Sequence, residues 1–191
     1  CNKMSYTIKE IIEKFCIETD VVPYGNGHIN DTYLCDVKPG YILQKINTNV
    51  FKNPEEVMSN IIRVTRFLGK IIAENGGDTK RETMNVIKTR DGNDFYKMDD
   101  NTYFRMYDYI ENTVTHETVE NPMQFFEAGK AFGKFQKMLN DFPADELFET
   151  IVDFHNTPVR VAQLEKAIEK NYQNRLAEVS EEIEMAKKYS K

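Results

Sequence analysis

Apolar and polar positions along the chain change period several times, and each change predicts an element. Ser5 to Ile17 places Ile8, Ile11, Ile12 and Phe15 at i, i+3, i+4 and i+7, one stripe of an amphipathic helix with Ser5 as its cap. Short β-branched and aromatic runs follow at Val21-Val22, Thr32 to Val37 and Tyr41 to Ile46. The last two are separated by Lys38-Pro39-Gly40 and predict an antiparallel hairpin. Asn53-Pro54-Glu55-Glu56 then predicts a helix start, with Asn at the cap, Pro in the first turn and carboxylates against the dipole. Val57, Met58, Ile61, Ile62, Val64, Leu68, Ile71 and Ile72 keep the helical period until Asn75-Gly76-Gly77 ends it.

Strand chemistry returns in Thr83 to Thr89, Asp94 to Met98 and Thr102 to Ile110, separated by turns at Asp91-Gly92-Asn93 and Asp99-Asp100-Asn101. From Asn121-Pro122 onward the pattern is helical. Phe125, Phe126, Ala128, Gly129, Phe132, Gly133, Phe135 and Leu139 form a wide apolar face, on which Gly129 and Gly133 predict close helix packing. A further helical stretch runs from about Pro158 to the end. Strands first and helices afterwards predict an α+β lobe over 1–111 joined to an α-helical region over 112–191.

Composition narrows the function classes. The 191 residues carry 25 Lys+Arg against 31 Asp+Glu, a formal charge of -6 that argues against a nucleic-acid partner held by counterion release. No apolar run approaches the ~18 residues of a membrane-spanning helix, so no membrane partner is expected. Cys1, Cys16 and Cys35 are an odd set without a C-x-x-C pair, so a cytoplasmic location without disulfides is expected, with Cys16 and Cys35 as buried thiols. His28, His116 and His155 lack ligand spacing. The chain opens on Cys1 instead of Met and stops inside a charged helical pattern, so it reads as a piece of something longer.

The candidate chemistry begins at Tyr24-Gly25-Asn26-Gly27-His28-Ile29-Asn30-Asp31-Thr32, a glycine-bearing turn between two predicted strands. Without Cβ atoms in the way, its backbone N–H groups can approach phosphate oxygens, although a tight turn with no ligand would use the same residues. It does not open a helix, and no G-x-x-x-x-G-K-[ST] occurs. On the next strand, alternation puts Leu43 and Lys45 on one face, opposite Ile42, Gln44 and Ile46. A strand lysine beyond a Gly loop is what a kinase sets against the α/β-phosphates, and Leu43 would then floor the adenine pocket; a lysine facing water is the other reading. Glu55 and Glu56 are candidates to orient that lysine, Glu56 foremost, and both also suit a first helical turn without any such role. Tyr103 to Glu111 is an aromatic strand running into the helical region, where a two-lobed kinase has its adenine-binding hinge; a buried central strand would show the same pattern.

These residues resemble the aminoglycoside phosphotransferase-like kinases, relatives of choline kinase, and within them most the N-acetylhexosamine 1-kinases. The match rests on Gly25-Asn26-Gly27-His28-Ile29-Asn30-Asp31-Thr32-Tyr33-Leu34, Tyr41 to Asn47, Glu127 to Gly133 and Asp153-Phe154-His155-Asn156-Thr157-Pro158. The resemblance implies a protein-kinase-like N-terminal lobe and transfer of the ATP γ-phosphoryl to the anomeric hydroxyl of an N-acetylhexosamine, with Mg²⁺. It implies that Gly25, Asn26, Gly27, His28, Ile29 and Asn30 cover the phosphates, that Lys45 contacts them, and that Tyr109, Ile110 and Glu111 form the hinge; with Thr32, Leu43 and Glu56 these make up the expected nucleotide-binding set. Asn30 stands where a third glycine would be, and asparagine tolerates left-handed backbone.

Phosphoryl transfer also needs an Asp to position the acceptor and an Asn and a second Asp for metal. In the family these lie in H-N-D-x-x-x-x-N and D-x-D segments. Here His155-Asn156-Thr157 puts Thr157 in the Asp place and Ala162 in the Asn place, so no catalytic or metal residue is expected in this chain and the fragment should be inactive alone. A non-catalytic nucleotide-binding or regulatory module, or a structural α+β interaction domain, remain as alternatives.

Overall fold

The computed structural model describes residues 6–116 and 118–190. They form a mixed α and β architecture in two compact units, Cys1–Thr150 and Ile151–Lys191. The boundary lies beyond the 111/112 division expected from the hinge, because the segment up to Thr150 packs back on the long helix of the first unit. Phe142 meets Phe67 edge-on at 5.2 Å, Asn60 exchanges hydrogen bonds with the Phe148 backbone, and Arg63 pairs with Glu146 at 2.8 Å.

The first unit is built on a six-stranded antiparallel sheet of β1 (Val21–Pro23), β2 (Asp31–Cys35), β3 (Tyr41–Ile46), β4 (Val86–Ile87), β5 (Tyr96–Asp99) and β6 (Thr102–Asp108). The order is β1-β2-β3-β6-β4, with β5 also paired to β6. The predicted hairpin is β2–β3, in register Thr32 to Gln44 and Leu34 to Ile42. The run predicted as a strand over Thr83 to Thr89 keeps only Val86–Ile87, and a short helix α3 (Thr79–Glu82), capped by Asp78, precedes it.

A helix covers each face of the sheet. α1 (Ile8–Ile12), continued by a 3-10 turn over Glu13–Phe15, is capped by Thr7 in a capping box with Glu10. The expected cap Ser5 lies outside the described residues. Ile11, Ile12 and Phe15 pack on Cys35, Leu43, Phe104 and Met106, all nearly or fully excluded from solvent. α2 (Pro54–Glu74) starts as predicted, with Pro54 in its first turn, although Asn53 makes no side-chain cap bond, and Gly76 in left-handed backbone (φ +71°) follows its end. Its Met58 packs with Ile46 and Tyr103 on the opposite face of the sheet.

Two thiols take different environments. Cys35 is buried and burial pushes its pKa up to about 11, whereas Cys16 is exposed in left-handed backbone (φ 60°), a correction to the expectation that both are buried. Thiolate is the nucleophile. Native iodoacetamide labelling at pH 8 read by peptide mass mapping is therefore expected to modify Cys16 and spare Cys35; equal labelling of both would contradict the packing of α1 on β2.

After the sheet, α4 (Pro122–Met138) is capped by a box of Asn121 and Gln124. Its expected close packing is not formed among the described residues: Phe125, Phe126 and Phe132 are more than 60% exposed, and a Cβ at Gly129 or Gly133 would meet nothing within 4 Å. The second unit holds α5 (Thr157–Lys170) and α6 (Ser180–Tyr189) with a 3-10 turn over Leu176–Val179 between them. The single helix expected there is interrupted because Asn171 and Asn174 adopt left-handed backbone (φ 37° and 53°). His155-Asn156-Thr157 is a helix start, where the Asn156 side chain accepts from the Val159 N–H. No described helix is long and apolar enough to cross a membrane.

Candidate functional site

The glycine loop joins β1 to β2 and is tied at both ends. At its base the Tyr24 N–H donates to the Thr32 carbonyl at 2.9 Å. Gly25 sits at φ +77°, where a side chain would be strained, and a Cβ at Gly25 or Gly27 would meet nothing within 4 Å. Gly25, Asn26, Gly27, His28 and Ile29 are all exposed. Asn30 is not among the described residues with left-handed backbone, so the expected substitution for a third glycine is not its role. Its Oδ1 instead accepts from the Asn47 N–H at 3.0 Å, and Asn47 Nδ2 donates to the Ile29 carbonyl at 2.9 Å, fastening the loop to the end of β3.

The loop and the expected hinge are neighbours. Tyr24 and Tyr109 meet edge-on with ring centroids 5.6 Å apart, and their hydroxyls are 3.4 Å apart, a bond that raises the Tyr24 pKa. Tyr109 N–H donates to the Gly40 carbonyl, the Thr113 hydroxyl donates to the Ile110 carbonyl, and Arg81 donates to the Glu111 carbonyl. The N–H groups of Ile110 and Glu111 have no acceptor among the described residues. A hinge that binds adenine needs such free backbone donors.

Leu43 and Lys45 do share a face, but it is the face under α1. Leu43 is 0% exposed among Ile11, Ile12 and Phe15, so it floors no open pocket in this structure. Lys45 lies next to Asp31 across the strand pair, with Nζ 5.7 Å from the centroid of the Tyr6 ring. The Tyr6 hydroxyl is buried without a well-formed hydrogen bond; Tyr6 first, with Asp31 after it, holds the lysine above its ordinary pKa. Lys45 opens into a polar cleft of about 240 Å³ with Ile29, Asp31, Asn47 and Asn101.

Glu56 is not brought to Lys45. It sits at the start of α2, on the other side of the sheet, and makes no ion pair among the described residues. Glu55 is the carboxylate with partners, Lys97 Nζ at 3.3 Å and the Tyr103 hydroxyl at 3.4 Å.

The face shared with α2 joins Thr32, a predicted site residue, to two polar residues that the sequence had not singled out, Gln44 and Arg105. Thr32, Gln44 and Arg105 lie side by side across β2, β3 and β6. Gln44 Nε2 donates to the Thr32 hydroxyl at 3.0 Å, and Gln44 Oε1 accepts from Arg105 Nε at 3.1 Å and Nη2 at 2.8 Å. Burial lowers the Arg105 pKa and raises that of neighbouring Tyr107. The signal available in the sequence was a single cation inside the aromatic run Tyr103-Phe104-Arg105-Met106-Tyr107.

Among the described residues no group of three His, Cys, Asp or Glu side chains could hold a metal ion. No known family model matches the chain.

Proposed function

We propose that this chain is the N-terminal portion of an ATP-dependent small-molecule kinase that transfers the γ-phosphoryl to a sugar hydroxyl, the anomeric OH of an N-acetylhexosamine being the acceptor that the sequence resemblance suggests. The observation that carries the reading is the Tyr24–Tyr109 contact, which sets the base of the glycine loop beside the segment leaving β6. A nucleotide must touch a phosphate loop and an adenine-binding hinge at once, and these two segments are adjacent. Free N–H groups at Ile110 and Glu111 suit the adenine edge, and the open space around Gly25 and Gly27 suits phosphate oxygens. The residues from 112 onward would begin the helical lobe. Mg²⁺ and the acceptor-positioning Asp would belong to the part of that lobe that this chain does not contain, since Thr157 and Ala162 occupy the corresponding places.

Titration of the chain with mant-ATP is expected to give saturable fluorescence that unlabelled ATP competes away, with no transfer of phosphate from ATP–Mg²⁺ to GlcNAc or GalNAc. Positioning and metal charge supply most of the catalysis in phosphoryl transfer, which is why binding should survive where turnover does not. Turnover by the chain alone would overturn the assignment of catalysis to a missing segment. Absence of nucleotide binding would leave a structural interaction domain.

A further inference from the structure

Arg105 is a largely buried cation without a counter-charge. No carboxylate makes an ion pair with it among the described residues, and the only charge-bearing neighbour acting on it is Tyr107, whose own burial keeps the phenol protonated. Glu55, on the helix facing that side of the sheet, is already engaged by Lys97 and Tyr103. Burying a charge is costly unless it is paired, so an uncompensated guanidinium on an otherwise well-packed sheet needs a reason.

Its geometry supplies one. Gln44 Oε1 takes the Nε and Nη2 donors and, through Nε2, is itself anchored on Thr32, so the guanidinium plane is held in a single orientation. Nη1 has no acceptor among the described residues. It is also not sealed, because the one sealed side-chain polar atom without a partner there is the Tyr6 hydroxyl. A guanidinium with an outward N–H free matches phosphate oxygens.

Position points the same way. In a kinase the strand lysine reaches both the phosphates and a carboxylate of the following helix, so strand residue and helix share one face of the sheet. Here α2 lies on the Ile46–Tyr103 face, and alternation along β3 puts Gln44, not Lys45, on that side. Arg105 is the cation beside Gln44, and Thr32 links the row to Asn30 at the end of the glycine loop, donating to its carbonyl at 3.4 Å.

We propose that the Thr32–Gln44–Arg105 row is an anion site in which Arg105 holds a phosphate group of a polyphosphate ligand, with Gln44 and Thr32 as positioning residues. That the ligand is a nucleotide rests on the kinase reading above; the anion site itself does not.

The test is isothermal titration of the chain with inorganic tripolyphosphate, ATP and adenosine. Arg105→Met is expected to weaken tripolyphosphate and ATP by at least about tenfold and to leave adenosine unchanged, since a charge-assisted hydrogen bond is lost. Gln44→Glu places a carboxylate on the guanidinium. It should cause the same loss while leaving the melting temperature equal or higher, which separates lost binding from lost folding if Arg105→Met proves unstable. Lys45→Met should retain tripolyphosphate. Wild-type-like tripolyphosphate binding by Arg105→Met or Gln44→Glu, or transfer of the loss to Lys45→Met, would overturn the proposal while leaving nucleotide binding intact, as would a wild type that binds adenosine but no tripolyphosphate. Arg105-dependent tripolyphosphate binding without any adenosine binding would instead keep the anion site and remove the nucleotide reading.

Discussion

Phe104→Ala is expected to destabilise the first unit by about 3–5 kcal/mol, the range for truncating a buried aromatic side chain. Phe104 is 0% exposed at the centre of the sheet, lies between Lys45 and Tyr96 across β3 and β5, and meets the Tyr6 ring edge-on at 5.5 Å. The side chain joins the α1 helix to three strands, so the cavity left behind cannot collapse without moving one of them. Urea unfolding followed by circular dichroism reads the effect. A loss below about 1 kcal/mol would mean that α1 does not seal this face.

Leu43→Ala should cost about 2–5 kcal/mol by the same mechanism while leaving nucleotide affinity per folded molecule unchanged. This outcome separates two placements of one residue. If Leu43 floored an adenine pocket, truncation would weaken ATP and cost little stability, because a ligand-facing side chain is not enclosed by the protein. Enclosure by Ile11, Ile12 and Phe15 predicts the reverse. Measuring chemical unfolding and mant-ATP affinity on one preparation checks both halves, and weakened affinity with unchanged stability would show that α1 leaves this face when nucleotide binds.

Local elements with strong patterns were legible from residues alone. Tyr41–Ile46 and Pro54–Glu74 appear where alternation, proline and glycine put them, because strand and helix periods and end signals are properties of neighbouring residues. Elements resting on weaker local signals came out differently. Thr83 to Thr89 has strand-forming residues but pairs only through Val86 and Ile87, since a strand persists only where a partner offers its ladder. The helix expected from Pro158 breaks at Asn171, where a left-handed residue competes with continued helix.

For the candidate site, the glycine loop and the run into Glu111 could be read in the chain, whereas their adjacency through Tyr24 and Tyr109, 85 residues apart, could not. The same division holds for the cation. That Leu43 and Lys45 share a face, with Gln44 opposite, follows from the two-residue period of any strand. Which face lies under α1 and which under α2 does not follow, because both helices are amphipathic and either could cover either side. Packing Ile11, Ile12 and Phe15 against Leu43 and Phe104 settled it. That choice buried the leucine expected to face a ligand and left Lys45 across the sheet from Glu56. It placed Gln44, which the alternation had set opposite Leu43 and Lys45, on the side facing α2, together with Arg105.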